Sequence, residues 1–314
     1  MKDDPPGPAC APSQDRTGDT PHAPADRSVS VIVPHYNDLA NLDRCLAALQ
    51  AQTMDPSRIE IVVADNVSPQ GEAAVAAVVA GRARLVTVAE RGAGPNRNGG
   101  VAASRGEILA FIDSDCVAEP DWLAEGVRAL ADYDFVGGKV SVLVDDPQRM
   151  SPAEAYEAVF AFDFKDYITR KGFTGSGNLF VSRRVFDAVG GFRPAVSEDV
   201  DWSHRATALG FRLGYAPAAE VGHPARRSWD ELLGKWRRVN REMFLLAHDR
   251  PRGRSKWLAR TWAMPLSALA HTPRVLTSPA LPNARARLAA LKTLYRLRMW
   301  RFVDGNRLLL GGGR

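Results

Sequence analysis

The chain has 314 residues, 45% hydrophobic and 25% charged, which allows one large domain or a domain with an appendage and excludes wholesale disorder. Its formal charge of +5 is uneven: residues 224–314 hold 20 Lys and Arg against 5 Asp and Glu, leaving −10 on the first 223 residues. An acidic body with a basic tail follows, the tail suited to phosphates or anionic lipid.

The three cysteines, Cys10, Cys45 and Cys116, lack metal-ligand spacing. Neither a disulfide framework nor a zinc site is expected, and a reducing cytoplasm is the expected location. The N-terminus has no apolar leader segment, and no run of about 18 uncharged apolar residues occurs, so neither secretion nor a transmembrane helix is expected.

Residues 1–27 are rich in Pro, Asp, Gly and Ala and read as a disordered arm. Val29 to Pro34 reads as a buried first strand stopped by its proline. Asn37 or Asp38 then caps a helix whose apolar face is Leu42, Cys45, Leu46 and Leu49. Ile59 to Ala64 forms a second strand ending at Asp65-Asn66. An Ala/Val-rich helix and a strand around Leu85 to Val88 follow. A Gly/Asn-rich loop from Arg91 to Gly100 leads through a short helix to the strand Ile108 to Ile112. Strands alternating with helices predict an α/β fold, with a mostly parallel, doubly wound sheet. The second half is less regular. Asp134 to Val144 carries a strand signal and Leu213 to Tyr215 is strand-like. Helical patterns cover Ala153 to Phe162, Asp199 to Leu209 and Trp229 to Leu246. No internal repeat is present.

In open α/β sheets ligands bind at the carboxyl ends of the strands. Here one strand finishes in His35-Tyr36-Asn37, one in Asp65 and one in Asp113-Ser114-Asp115, a convergence that points to one site. Alternation along extended backbone aims Asp113 and Asp115 the same way, so both can share a hard divalent cation that neutralises a diphosphate. A solvated turn or a helix cap is the alternative use of such a pair. Neither G-x-G-x-x-G nor G-x-x-x-x-G-K-[ST] occurs, which argues against a dinucleotide oxidoreductase and a P-loop enzyme.

The segments Val31-Ile32-Val33-Pro34-His35-Tyr36-Asn37, Val62-Val63-Ala64-Asp65-Asn66, Gly94-Pro95-Asn96-Arg97-Asn98-Gly99 and Phe111-Ile112-Asp113-Ser114-Asp115 occur in order. Together they resemble the nucleotide-sugar-binding half of family-2 glycosyltransferases with the GT-A fold. Gly175-Ser176-Gly177-Asn178-Leu179-Phe180, Val189-Gly190-Gly191-Phe192, Ser197-Glu198-Asp199-Val200-Asp201 and His223 resemble the second half. The resemblance spans roughly residues 28–225. It implies a catalytic domain over 28–225, divided into a nucleotide-binding half (28–116) and an acceptor half (117–225), with a helical basic extension over 226–314.

The resemblance also implies roles. Pro34, Tyr36 and Asn37 line the base and ribose pocket, Asp65 accepts a hydrogen bond from the base or else caps a helix, and Arg97 contacts the nucleotide. Asp113 holds ribose and metal, Asp115 is the more direct ligand, and His223 completes the shell around a divalent cation (Mn2+ or Mg2+) or is structural. Asp199 is the candidate general base of an inverting transfer, with Glu198 as its alternate or as a loop-orienting group. Asp201 and Arg205, four apart, are expected to form a helical ion pair. Asp65-Asn66 replaces the commoner Asp-Asp-Gly-Ser ending, which leaves the base open, with UDP- or dTDP-sugars favoured. Lys235-Trp236-Arg237-Arg238 stands where processive members carry Gln-x-x-Arg-Trp, and no membrane span is present, which favours single addition to a glycan or lipid-linked acceptor.

The segment from Arg285 to Arg301 mixes cations with Leu, Tyr and Trp. It suits an interfacial helix on anionic lipid at the inner face of the plasma membrane, or a C-terminal helix packed on the body with arginines outward. Two other functions compete with sugar transfer. A metal-dependent nucleotidyltransferase lacks its Gly-rich basic loop after the first strand, and a nucleic-acid-binding protein lacks any recognised module.

Overall fold

The computed structural model describes residues 27–194, 197–248 and 251–311. Residues 1–26, which carry nearly all of the expected disordered arm and Cys10, lie outside the described residues.

Four apolar segments form a parallel group of strands: β1 (Val29–His35), β2 (Ile59–Asp65), β3 (Arg84–Thr87) and β4 (Ile108–Ile112). β1, β4 and the C-terminal half of β2 are buried on both faces, which accounts for their continuous hydrophobic runs. The order β3-β2-β1-β4 continues into β7 (Asn178–Ser182), β6 (Phe135–Leu143), β8 (Leu213–Pro224) and β5 (Val117–Ala118), making one mixed sheet of eight strands. β7 runs antiparallel to both β4 and β6, and β8 is parallel to β6. The carboxyl ends of β1, β2, β4, β6 and β8 therefore share one edge.

Alternation splits the core between the two faces of the sheet. Val31, Val33, Val63 and Ala110 pack with Leu42, Cys45, Leu46 and Leu49 of α1 (Leu39–Gln50), Val75 and Val79 of α2 (Glu72–Val79), and Trp122 of α4 (Trp122–Ala129). Asp38 caps α1 by accepting from the Asn41 amide. Ile32, Val62, Leu109 and Phe111 face the other way. They meet Val101 of α3 (Ala93–Ala102), Phe186 of α7 (Arg183–Val189) and Trp202 of α8 (Glu198–Ala208).

Two expectations need correction. The Arg91–Gly100 loop is mostly helix, because α3 starts at Ala93. Pro95 sits in the first turn, where an N–H has no intrahelical acceptor. Asn96 donates to the carbonyls of Ala64 (2.8 Å) and His35 (3.3 Å). Gly99 and Gly100 let this helix lie flat on the sheet, since a Cβ on Gly100 would stand 2.7 Å from Ile32 Cγ2 and one on Gly99 would clash with Val88. Burial thus overrides a loop-like composition. The second correction is that His223 lies within a strand. β8 extends to Pro224, and its pairing jumps from Ala216 opposite Gly138 to Glu220 opposite Lys139. Pro217 falls in the bulged stretch, where no ladder hydrogen bond is required of it.

Beyond β8 the chain is helical: α9 (Trp229–His248), α10 (Gly253–Trp262), α11 (Met264–Leu276) and α12 (Ala284–Leu309). α5 (Pro152–Phe160) joins them, opened by the capping box of Ser151 and Glu154. α6 (Phe164–Lys171) follows it. Ala153, Tyr156 and Val159 of α5 pack with Leu232, Ala268, Ala290, Leu294 and Leu297 in a third core. The C-terminal basic segment therefore packs on the body, but not with all its arginines outward: Arg301 is buried and Arg298 half-buried. Leu288, Tyr295, Met299 and Val303 face outward instead. Among the described residues no helix is long and apolar enough to cross a membrane.

Candidate active site

A cleft of about 1080 Å³ opens where the carboxyl ends of the strands meet α5, α8 and α9. Pro34, Tyr36, Arg97, Asp113, Asp115, Glu198, Asp199 and His223 all line it. Asp113 and His223 meet here because β4 and β8 run in the same direction and deliver Asp113-Ser114-Asp115 and His223 to the same edge.

Asp115 Oδ2 stands 3.3 Å from His223 Nε2. The other ring nitrogen, Nδ1, lies 2.8 Å from the Pro224 carbonyl, which can only accept, so Nδ1 carries the proton. In the neutral ring the Nε2 lone pair then faces a carboxylate, an arrangement that calls for a cation or a proton between them. An imidazole nitrogen with carboxylate oxygens is a donor set that suits Mn2+ and fits Mg2+ less well. Cys116 Sγ lies within reach of both groups, but burial and the two neighbouring aspartates push its thiol well above the usual range, so it stays protonated.

The two aspartates are driven apart. Desolvation opposes the charge on Asp113, but Arg97 and His223 outweigh it and hold the group below the usual carboxylate range. Desolvation lifts Asp115 above that range, with His223 opposing and Asp113 reinforcing the lift. A divalent charge between them would reverse that. Gly177 keeps the wall close, since a Cβ there would come 2.6 Å from Asp113 Oδ2. Asn178 fixes this turn, accepting from Trp122 Nε1 (2.9 Å) and donating to the carbonyls of Lys139 and Ala219.

Arg97 ties the two halves of the site together. It donates to Asp113 Oδ1 at 2.5 Å and Glu198 Oε1 at 2.9 Å. Its neighbour Asp199 takes the Val200 amide at 2.8 Å and Ser197 Oγ at 3.2 Å on Oδ1. Desolvation and then repulsion from Glu198 push Asp199 up to about 6, against the pull of the Val200 amide and Arg97. A carboxyl near 6 is poised to accept a proton at neutral pH. Asp201 and Arg205 form the expected helical pair at 2.8 Å, away from this chemistry.

Two expected donor residues do not line the cleft. Asp65 is buried at the end of β2, its Oδ1 bonded to His35 Nδ1 (2.8 Å) and Ser68 Oγ (2.5 Å) and its Oδ2 to the Ser68 amide. Ser68 and His35 outweigh desolvation and hold Asp65 below its usual range. Asn37 has φ +58°, offers its amide to Ser68 Oγ at 2.9 Å and accepts from Gln70. Asn66 faces the cleft instead, donating to the Val88 and Glu90 carbonyls and accepting from the Gly92 amide. Tyr36 stands at the rim, 56% exposed.

Sequence reasoning missed Glu157. It is 1% exposed and accepts from the Arg226 amide (2.8 Å), the Arg226 guanidinium (2.9 Å) and Lys235 Nζ (2.8 Å). Those cations outweigh desolvation and keep it ionised below its usual range. An acid on an otherwise apolar stretch of α5 was the one available signal.

A family model described as Glycosyl transferase family 2 matches residues 30–194. Glycosyltransferase AglE of Haloferax volcanii is 35% identical over 221 residues, 68% of this chain and 72% of that protein. Putative glycosyltransferase EpsH of Bacillus subtilis is 36% identical over 108 residues, 33% of this chain and 31% of that one. Succinoglycan biosynthesis protein ExoO of Rhizobium meliloti is 34% identical over 116 residues, 36% of this chain and 32% of that one. Among solved structures, mannosyltransferase PcManGT from Pyrobaculum calidifontis, in complex with GDP-Man and Mn2+, has the same mixed α/β fold. Its TM-score is 0.60 at 20% identity, over 92% of this chain and 88% of that one. The family model covers more than half of the chain, and the long match to AglE agrees with it: this chain belongs to glycosyl transferase family 2 and is a glycosyltransferase.

Proposed function

We propose that this enzyme moves a sugar from a nucleoside-diphosphate donor to a hydroxyl acceptor with inversion, using a divalent cation held by Asp115 and His223 with Asp113 beside them. The observation that carries the reading is the convergence of that carboxylate–imidazole pair, Arg97 and the raised carboxyl of Asp199 on one cleft. When bound, the cation supplies positive charge to the donor's diphosphate as it departs. Asp199 takes the proton of the acceptor hydroxyl while that oxygen attacks the anomeric carbon and the bond to the diphosphate breaks. Glu198, tied to Arg97, orients the start of α8. Pro34, Tyr36 and Asn66 surround the nucleoside, and Asp65 supports them from beneath through His35 and Ser68. In this reading residues 28–225 are the catalytic unit and 226–314 its helical extension.

The Mn2+ and GDP-Man in the PcManGT structure support manganese and leave GDP-sugars as donors alongside UDP- and dTDP-sugars. The ExoO name supports a role in cell-surface polysaccharide synthesis. Outward Leu288, Tyr295 and Met299 on a helix rich in Arg support a peripheral contact with the cytoplasmic face of an anionic membrane. Thermal-shift measurements with UDP, GDP, dTDP and CMP, with and without Mn2+, test the central reading. Stabilisation by one nucleotide only when manganese is present is expected. Equal melting temperatures under all conditions would reject it.

A further inference from the structure

Nine Lys and Arg side chains line the cleft, and six of them reach a carboxylate. Arg97 meets Asp113 and Glu198, Arg226 and Lys235 share Glu157, and Lys171, Arg238 and Arg274 meet Asp166, Glu242 and Asp163. The remaining three, Arg260 of α10 with Arg298 and Arg301 of α12, meet none among the described residues, and they stand together. Arg298 and Arg301 are three apart on α12, on one face of the helix. Arg298 touches Met264 Sδ at 3.6 Å, and its buried Nε has no hydrogen-bond partner. Arg301 is 5% exposed, lies 4.0 Å over the Trp236 ring and donates to Asn240 Oδ1 at 3.2 Å. Trp236 Nε1, buried beside them, also lacks a partner among the described residues. Burial and repulsion from Arg260 and Arg298 push Arg301 down to about 9, so it still carries its charge at neutral pH.

Arg301 is buried and Arg298 half-buried beside the exposed Arg260, and Asp304 reaches Arg301 only through Asn240. One carboxylate at a distance thus faces three cations, and an anion from outside the described residues would balance them. Guanidinium groups match the oxygens of phosphate in paired, charge-assisted hydrogen bonds. The donor's diphosphate is already assigned to Asp115 and His223, so this anion is a different group. The neighbouring wall is apolar, formed by Tyr156, Phe160, Trp236 and Met264, and it suits an ester whose alcohol portion is hydrophobic. We propose that Arg260, Arg298 and Arg301, with Trp236, form a second anion site that holds a phosphate or diphosphate ester on the acceptor. The acceptor assignment rests on the transferase reading above; the anion site itself does not.

The test is calorimetric titration of inorganic pyrophosphate into the full chain with excess EDTA, which silences metal-dependent nucleotide binding. The wild type is expected to bind. Arg298→Met, half-buried, and Arg260→Met, at the exposed rim, are each expected to weaken binding by about tenfold. Binding of GDP or UDP with Mn2+ by the same two variants is expected to stay within about twofold of wild type, because neither side chain pairs with Asp113, Asp115 or His223. Circular dichroism checks that both variants fold. Absence of pyrophosphate binding by the wild type, or equal binding by all three proteins, would overturn the site. If pyrophosphate binds but neither nucleotide does, the anion site stands and the donor reading falls. Butyl phosphate and phosphatidylcholine vesicles carrying phosphatidic acid then compete against pyrophosphate. Displacement by butyl phosphate identifies a soluble ester, and displacement by the vesicles alone identifies a lipid-borne one. Displacement by neither overturns the ester assignment.

Discussion

One wall of the cleft is made from strand ends and the other from helix faces, and they manage charge differently. On the strand side, His223 lies in β8 while Asp113 and Asp115 lie in the turn that follows β4, closed by the Cys116 amide on the Asp113 carbonyl. Among the described residues Arg97 pairs with Asp113, and Arg238 and Arg226 act on the two aspartates without pairing with them. On the helix side, Glu157 answers Arg226 and Lys235, whereas Arg260, Arg298 and Arg301 pair with no carboxylate among the described residues. The contrast suggests that a transferase places its uncompensated charges where its ligands will supply the opposite sign: a cation at the strand ends and an anion among the helices.

Substitutions at the strand wall should have the largest effects. Asp115→Ala and Asp199→Asn are each expected to lower the rate of sugar transfer by about a thousandfold or more while folding persists, checked by nucleoside-diphosphate release with circular dichroism alongside. Near-normal turnover by either would remove that residue from the chemistry. At the helix wall, Glu157→Gln leaves the half-buried Arg226 and Lys235 with no charge between them and is expected to destabilise the protein by about 3 kcal/mol, read from chemical denaturation. A change below about 1 kcal/mol would mean that solvent reaches both cations and that the two walls differ less than their geometry indicates.

A smaller, graded effect is expected from pH. Asp199 works only when deprotonated and its pKa lies at about 6, so kcat/KM should rise as pH increases through that value and then level off. Below it the rate should fall roughly tenfold per pH unit, and a flat profile would point to another base. The mildest expected effect is from Gly177→Ala. Its methyl would meet Asp113 Oδ2 at 2.6 Å, so donor affinity should drop a few-fold (about 1 kcal/mol) with the melting temperature nearly unchanged. Unaltered affinity would place Asp113 outside the donor contacts.

Much of the strand wall was legible from residue order alone. Apolar runs ending in Asp65 and Asp113-x-Asp115 mark strand tips, and strand tips in such sheets converge. The cap at Asp38, the face of α1 and the Asp201–Arg205 pair followed from local spacing. What escaped depended on packing. Asp65 ends a strand as expected, yet His35 and Ser68 occupy its oxygens, a fact set by the depth of β2 beneath the cleft. α3 reads as a loop until Ile32 and Val88 are seen to require glycine against them. Glu157 meets Lys235 across 78 residues, and no periodicity spans that distance. Arg298 and Arg301 look like the solvated side of a basic helix until Trp236 and Asn240 of α9 and Met264 of α11 are seen against them.

Manganese titration followed by electron paramagnetic resonance bears most directly on the central claim. With a cognate nucleoside diphosphate present throughout, adding wild-type protein should lower the free Mn2+ signal below that of manganese and nucleotide alone, and adding Asp115→Ala or His223→Ala should not. Loss of the signal to the same extent in all three proteins would contradict a cation held between those two side chains.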